Sequence, residues 1–340
     1  MKNSTSIVFI ALLFCSFVTL NAQTVKSGYK ISNRIHLEGD GGWDYLTVDA
    51  QNNRLFVSHS TMVQVVDLKK GTLLATISDT KGVHGIALAT DLNKGFISCG
   101  RDSSVVVFDL ASYKVIERVK VTGANPDAVL YDPYKKILFT FNGKSSNATV
   151  LDALTNKVIA TIPLAGKPEF SASDKKGKVY VNIEDKSLVT VINTNTLKVE
   201  NSWSLAPGEE PSGLALDNET HRLFLVCSNQ LMVVMNALNG KVIKTLPIGD
   251  GCDGVAFDPF TKRVFSSNGD GTMTVVQVNA NDTYKVIENV ATRKGARTIS
   301  CNPLTHKLYL PTAELEAAVG NARPAVKPGT FMILEIEPVK

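Results

Sequence analysis

The chain has 340 residues, 44% of them apolar and 20% charged, with 24 glycines, 13 prolines and a formal net charge of +4. This composition excludes a disordered chain, a collagen-like chain and a disulfide-dense miniprotein, and it lacks the strongly basic balance of a dedicated nucleic-acid binder. The length exceeds the roughly 250–300 residues at which a single core divides, so the chain either forms two domains or grows by repetition.

At the N-terminus Lys2 precedes an apolar run from Ile7 to Leu20, followed by Asn21-Ala22-Gln23. A basic start, a short apolar stretch and a small residue before the cut make a secretory signal peptide. The run is shorter than the roughly 20 residues of a spanning helix. Phe14, standing before Cys15 where lipoprotein signals carry a small residue, argues against lipidation. Residues 1–22 are expected to be a leader and 23–340 a single exported domain, periplasmic or secreted, monomeric and without a membrane span. Four cysteines remain, Cys99, Cys227, Cys252 and Cys301. Their spacing fits no zinc or redox motif, and they are expected as buried free thiols.

An apolar-aromatic pair then recurs along the chain, with its aromatic member at Phe56, Phe96, Phe139, Tyr180, Phe224, Phe265 and Tyr309, separated by 40, 43, 41, 44, 41 and 44 residues. A turn-forming residue precedes many of the pairs: Asp49, Asp132, Asp217, Asp258 and Asn302, with Ala89 and Ser173 deviating. A second register ends a β-branched run on Asp67, Asp109, Asp152, Asn193, Asn236 and Asn279. Each unit reads as four short strands rich in Val, Ile, Leu, Thr and aromatics. In the second they are Gly85–Ala89, Gly95–Cys99, Ser104–Phe108 and Lys114–Val121. Four strands in some 42 residues make one propeller blade. Seven anchors predict an all-β, seven-bladed β-propeller with antiparallel blades.

The last unit has a third strand, Thr330–Ile336, and then too little chain for a fourth. Tyr29-Lys30-Ile31-Ser32-Asn33-Arg34-Ile35 matches the fourth strand Tyr113-Lys114-Val115-Ile116-Glu117-Arg118-Val119. Residues 29–38 are therefore expected to pair in the last blade and close the ring, removing two exposed sheet edges.

Lys178-Val179-Tyr180-Val181-Asn182, with the Val-rich strand that leads to Asn193, resembles the YVTN repeat, and the mature chain resembles the exported YncE-like propellers of bacteria. The resemblance implies the fold. It leaves function open, because relatives include DNA-associated, surface-layer and cofactor-enzyme members.

First strands line the channel of a propeller. Stepping back from each anchor gives Asp44, His84, Asp127, Pro168 with Glu169 beside it, Ser212, Asp253 and Arg297 at one channel mouth. Strand two returns to that mouth at His59, Cys99, Asn142, Ile183, Cys227, Asn268 and Thr312, which would make Asp44 a neighbour of His59 and Asp253 a neighbour of Asn268. Residues 313–329 form an inserted loop in the last blade, expected to lie over the mouth with Glu314, Glu316 or Arg323 facing the ring. Asn268-Gly269-Asp270-Gly271 reads as a tight turn.

These positions suit a non-enzymatic binding propeller that takes a small polar ligand or a protein partner at the mouth. Asp44, Asp127, Glu169 and Asp253 are hard donors suited to Ca²⁺ or Mg²⁺, and His59 and His84 to a transition metal. A metal-dependent hydrolase or lactonase would need at least three of those carboxylates to converge within about 5 Å, the scale of a shared metal shell. Ser212 has no G-x-S-x-G context, no catalytic residue is assigned, and His221 and His306 are expected exposed on the opposite face. Weak DNA association would need one basic face, whereas Lys69-Lys70, Lys135-Lys136 and Lys175-Lys176 fall in scattered turns.

Overall fold

The computed structural model describes residues 28–317 and 324–339. It contains seven four-stranded antiparallel sheets, each with its strands in chain order except the last. Blade two runs Val83–Ala89, Lys94–Cys99, Ser104–Asp109 and Val115–Lys120, within two residues of the expected bounds. The last blade takes its outermost strand from the start of the chain. Tyr29–His36 pairs antiparallel with Met332–Pro338, with Tyr29 opposite Pro338 and His36 opposite Met332. The leader expected over residues 1–22 lies outside the described residues.

Period-2 alternation decides where the core sits. Strands two and three are covered on both faces because each blade packs between two neighbours, so their residues read as nearly continuous apolar runs. All seven anchors, Phe56, Phe96, Phe139, Tyr180, Phe224, Phe265 and Tyr309, are at most 2% exposed. They fall into seven apolar clusters, and each cluster joins two adjacent blades. The core is thus a ring of interfaces with no single centre. Fourth strands have an outward face, and Leu73, Val115, Ile159 and Val199 are exposed on them.

The second recurring register is turn chemistry. Asp67 Oδ1 accepts from the amides of Lys69 (2.8 Å) and Lys70 (3.1 Å). Asp109, Asp152, Asn193 and Asn236 cap the equivalent turns, each side chain replacing a missing backbone acceptor. Asn268-Gly269-Asp270-Gly271 is likewise the turn between strands two and three of blade six, with Gly271 at φ 98 and Asp270 accepting from Thr272 N. All four cysteines among the described residues are free, three of them buried. Burial pushes the thiols of Cys227, Cys252 and Cys301 up to about 12, which keeps them protonated and unreactive.

Polar latches tie blade to blade at the far end of the barrel. Arg54 donates to Leu110 O (2.5 Å) and Tyr113 Oη (3.2 Å), and Lys94 donates to Leu154 O (2.8 Å) and Asn156 Oδ1 (2.9 Å). Arg222 meets Asp282 at 2.8 Å, and Arg263 donates to Tyr29 Oη at 2.9 Å. His221 and His306 lie at this end, half-buried where exposure was expected. His306 Nδ1 sits 2.9 Å from Asp258 Oδ2 and its ring stacks on Phe260, which is what covers it. Tyr180 Oη donates to Ala237 O in blade five at 2.9 Å. Tyr180→Phe is expected to cost about 1–2 kcal/mol, because it strands a buried carbonyl. Urea denaturation reads this as a lower midpoint at unchanged slope; an unchanged midpoint would show that the latch carries no stability.

Candidate functional site

A backbone irregularity builds the ring. In six blades the ladder between strands one and two shifts register just after the first paired residue: Trp43, Val83, Pro126, Pro168, Pro211 and Cys252. The next residue falls inside the shift, and these residues are Asp44, His84, Asp127, Glu169, Ser212 and Asp253. Glu169 is therefore the ring member of blade four, whereas Pro168 makes the ladder pair with Ile183. A bulge of this kind re-aims a side chain and frees backbone groups. Short polar side chains of strand two satisfy them. Ser58 Oγ accepts from Asp44 N (3.1 Å) and donates to Tyr45 O (2.8 Å). Ser98 donates to Asp127 O in the next blade, and Asn182 Nδ2 to Ser212 O at 3.1 Å. In blade seven the innermost strand is only Ser300–Cys301, so side chains hold the segment before it. Ser267 Oγ donates to Arg297 O (2.6 Å), and Thr298 Oγ1 donates to Asp44 O (2.7 Å), linking blade seven to blade one.

The ring side chains fall into three groups. His84 Nδ1 lies 2.6 Å from Asp44 Oδ2 and 3.6 Å from Asp127 Oδ1. Arg297 pairs with Asp253. Lys167 is 2.5 Å from Glu169 Oε1 and also pairs with Glu184. Ser212 Oγ donates to Cys252 O at 3.0 Å, so its hydroxyl serves as an inter-blade tie. Tyr45 of blade one meets Phe170 of blade four across the axis, ring centroids 5.1 Å apart. This pair floors the polar mouth. On its far side lies an apolar cavity of about 350 Å³, lined by Phe170 with Ile86, Val129 and Leu214 among others.

Burial and crowding of like charge dominate the electrostatics. Burial, offset in part by His84 and reinforced by Asp44, pushes Asp127 up to about 6. Burial outweighs Arg297 and takes Asp253 to about 6. Glu169 is raised well above the usual carboxylate range by burial and by Asp127, against the pull of Lys167. Burial pulls His84 down, but the Asp44 hydrogen bond and the charges of Asp127, Asp44 and Glu169 outweigh it, leaving the imidazole above its ordinary value. Burial drives the Tyr45 phenol well up, and Asp253, Asp44, Asp127 and Glu169 all add to it. Four carboxylates thus act on one phenol.

The strand-two positions do not join this ring. His59 is fully buried, its Nδ1 3.0 Å from Gln64 Oε1 and its ring stacked 3.9 Å from Phe331. Asn268 bonds Thr272 and Thr274 of its own blade. The bulge explains both departures, since it turns Asp44 and Asp253 to the axis while His59 and Asn268 stay in the unbroken ladder. The described residues of the inserted loop reach Asp253 and Arg297. Leu315 bridges Val326, and Glu316 N donates to Ala325 O at 2.8 Å, making a two-stranded ribbon. Leu315 and Pro324 share a cavity of about 530 Å³ with Asp253 and Arg297. Glu314 turns to Lys327 (3.2 Å) and Arg293 (3.8 Å), as cross-ribbon pairing dictates. Glu316 lines a neighbouring cavity with Arg293 and Lys294, and Arg323 lies outside the described residues.

Among the described residues no three carboxylates converge. Among the described residues the one grouping of three or more metal-type donors is Asp44, His84 and Asp127, all within 4.8 Å of one another. Asp253 and Glu169 are turned to Arg297 and Lys167. No helix among the described residues is long and apolar enough to cross a membrane.

No family model and no curated protein matches the chain. Solved structures match over most of its length. A chain of the Kuenenia stuttgartiensis hydrazine synthase is 15% identical with a TM-score of 0.71, covering 81% of this chain and 94% of that one. A chain of the mitotic checkpoint complex is 13% identical with a TM-score of 0.73, covering 89% and 96%. The WD40 repeats of RRP9 are 10% identical with a TM-score of 0.78, covering 92% and 99%. At such identities the likeness establishes the propeller fold alone.

Proposed function

We propose that this chain is an exported, non-enzymatic binding propeller whose axial mouth takes a small polar ligand carrying positive charge. The observation that carries the reading is the charge balance of the ring. Arg297 is matched by Asp253, and Lys167 faces two carboxylates, Glu169 and Glu184. Asp44 and Asp127 share a single imidazole. With its acids ionised the mouth carries surplus negative charge in a largely buried setting, which an incoming cation relieves. The Tyr45–Phe170 floor limits depth, and the ribbon ending at Leu315 and Pro324 forms one wall. The export part of the reading rests on Lys2 and the Ile7–Leu20 run.

The test is thermal protection by small diamines against dicarboxylates of the same length. A ligand that binds only the folded state stabilises it by about 2.7 kcal/mol at a hundred times its Kd. Diamines are expected to raise the Tm of the wild type and to lose most of that effect on Asp127→Asn, while dicarboxylates leave it unmoved. Protection by dicarboxylates alone would overturn the assignment of ligand charge.

A further inference from the structure

The ring is uneven in chemistry, and its blade-one to blade-three arc differs from the rest. Elsewhere each carboxylate is answered by a guanidinium or an ammonium. Here two carboxylates from non-adjacent blades flank an imidazole. One Nδ1–H can serve only one acceptor well, and it is 2.6 Å from Asp44 Oδ2. The 3.6 Å to Asp127 Oδ1 is too long for a hydrogen bond. Among the described residues no donor meets the Asp127 carboxylate, although its side chain is only 15% exposed. A protein-only account leaves this acid buried beside a second acid without a full partner.

Resting on the cation-accepting reading above, we infer that Asp44, His84 and Asp127 form a binding site for a single divalent transition-metal ion such as Zn²⁺ or Co²⁺. Ions of this class take imidazole nitrogen and carboxylate oxygen at about 2.0–2.2 Å, which sets neighbouring donors about 3–3.5 Å apart. His84 Nδ1 and Asp127 Oδ1 are already 3.6 Å apart, and Asp44 Oδ2 needs to withdraw from Nδ1 by under about 1 Å to exchange a shared proton for the ion. The nitrogen donor selects against Ca²⁺, which wants six to eight oxygens, and against Mg²⁺, which dehydrates reluctantly. The three donors sit on bulges pinned by Ser58 and Ser98, so the site is held by the rigid part of the fold. His84 Nε2 packs at Gly100, where a Cβ would lie 2.9 Å from it. Glycine there lets the ring turn Nδ1 to the axis. Three protein donors leave positions open toward the mouth for water or for a ligand group.

The experiment titrates chelator-stripped mature chain with Zn²⁺ by calorimetry and with Co²⁺ by visible absorption. One ion per chain is expected, with a Co²⁺ band typical of low coordination number. His84→Ala and the near-isosteric Asp127→Asn should each weaken binding at least tenfold, since even groups behind metal ligands are worth 10–100-fold. His221→Asn, at a left-handed turn on the opposite face (φ 56), should bind as the wild type does. Absence of saturable binding in the wild type, or full affinity in folded Asp127→Asn, overturns the site. Diamine protection without Zn²⁺ uptake also overturns it while the cationic-ligand reading stands. Zn²⁺ uptake without diamine protection supports the metal site and counts against that broader reading.

Discussion

A chain lacking Tyr29–His36 is expected to lose most of its stability, where trimming an ordinary terminus costs little. This segment supplies the outermost strand of blade seven, paired along its length with Met332–Pro338. It buries Tyr29 to 1% and Ile35 to 3% exposure, and burying such a side chain is worth about 1.5–3 kcal/mol. Tyr29 stands edge-on to Phe265, 5.2 Å between centroids, and its hydroxyl accepts from Arg263, so the loss also opens the interface between blades six and seven. The sum approaches the roughly 5–15 kcal/mol total stability of a typical domain. Deletion also bares Met332–Pro338 as an unpaired edge, which invites association between chains. Thermal melts and light scattering against the chain starting at Gln23 should show a Tm lower by more than about 10 °C, or aggregation on expression. Tyr29→Ala tests the same contact without truncation, at about 3–5 kcal/mol. A deleted chain that melts with the full one would end the closure account.

The blade count and the closing strand were legible because both rest on spacing. The anchor of each blade, Phe56 to Tyr309, must point into an inter-blade cluster, and the repeat of strands and turns allows that only at a near-constant interval. The Asp and Asn registers were legible for a similar reason, since a side chain that caps a turn must stand two or three residues before the amides it accepts from. The ring residues were found by counting back from the anchors, and the count misplaced the neighbours. Alternation in an unbroken ladder would bring His59 beside Asp44 and Asn268 beside Asp253. The shift after Trp43 and after Cys252 turns the acids to the axis alone, and no residue type in the sequence announces it. Lys167 and Glu184 went unrecognised because they come from the loops on either side of strands one and two in blade four. Tyr45 and Phe170 went unrecognised because contact across the axis leaves no periodic trace. Leu315 and Pro324 of the inserted loop stand beside Asp253 and Arg297, but Glu314 answers Lys327 because the Leu315–Val326 bridge sets them opposite.

The same ring should make the protein more stable in mild acid than at pH 8, and replacing one of its acids with an amide should remove part of that difference. Asp127 and Asp253 hold their protons at about 6 in the fold, against 3.8 for the free side chain. Glu169 is shifted in the same direction. A folded state that binds protons more tightly than the unfolded chain gains stability as pH falls and loses it as pH rises. His84, raised above 6.5, adds to the trend, because its contribution is complete below 6.5 and fades as pH climbs through its folded value. The turn aspartates oppose it only at lower pH. Asp67, Asp109 and Asp152 are held below 3.8 by backbone hydrogen bonds, so what they contribute is present above that value and lost beneath it. Tm is therefore expected to rise from pH 8 to about 5 and to fall below about 4. For Asp127 and Asp253 the rise from 3.8 to about 6 is worth on the order of 3 kcal/mol each before relaxation and water entry reduce it. Asp127→Asn should accordingly raise Tm at pH 8 by a few degrees, about 2–4 °C per kcal/mol in large domains, and draw level with the wild type only as pH falls from about 6 toward 3.8, where the unfolded side chain is protonated as well. Asp44 keeps His84 paired in that variant, so the imidazole is not stranded. A wild-type profile that is flat between pH 8 and 5, or an Asp127→Asn variant that melts lower at pH 8, would show that the ring stores no such strain. A rise would mean that the fold retains buried charge at a cost in stability, which is what a site kept ready for a cation requires.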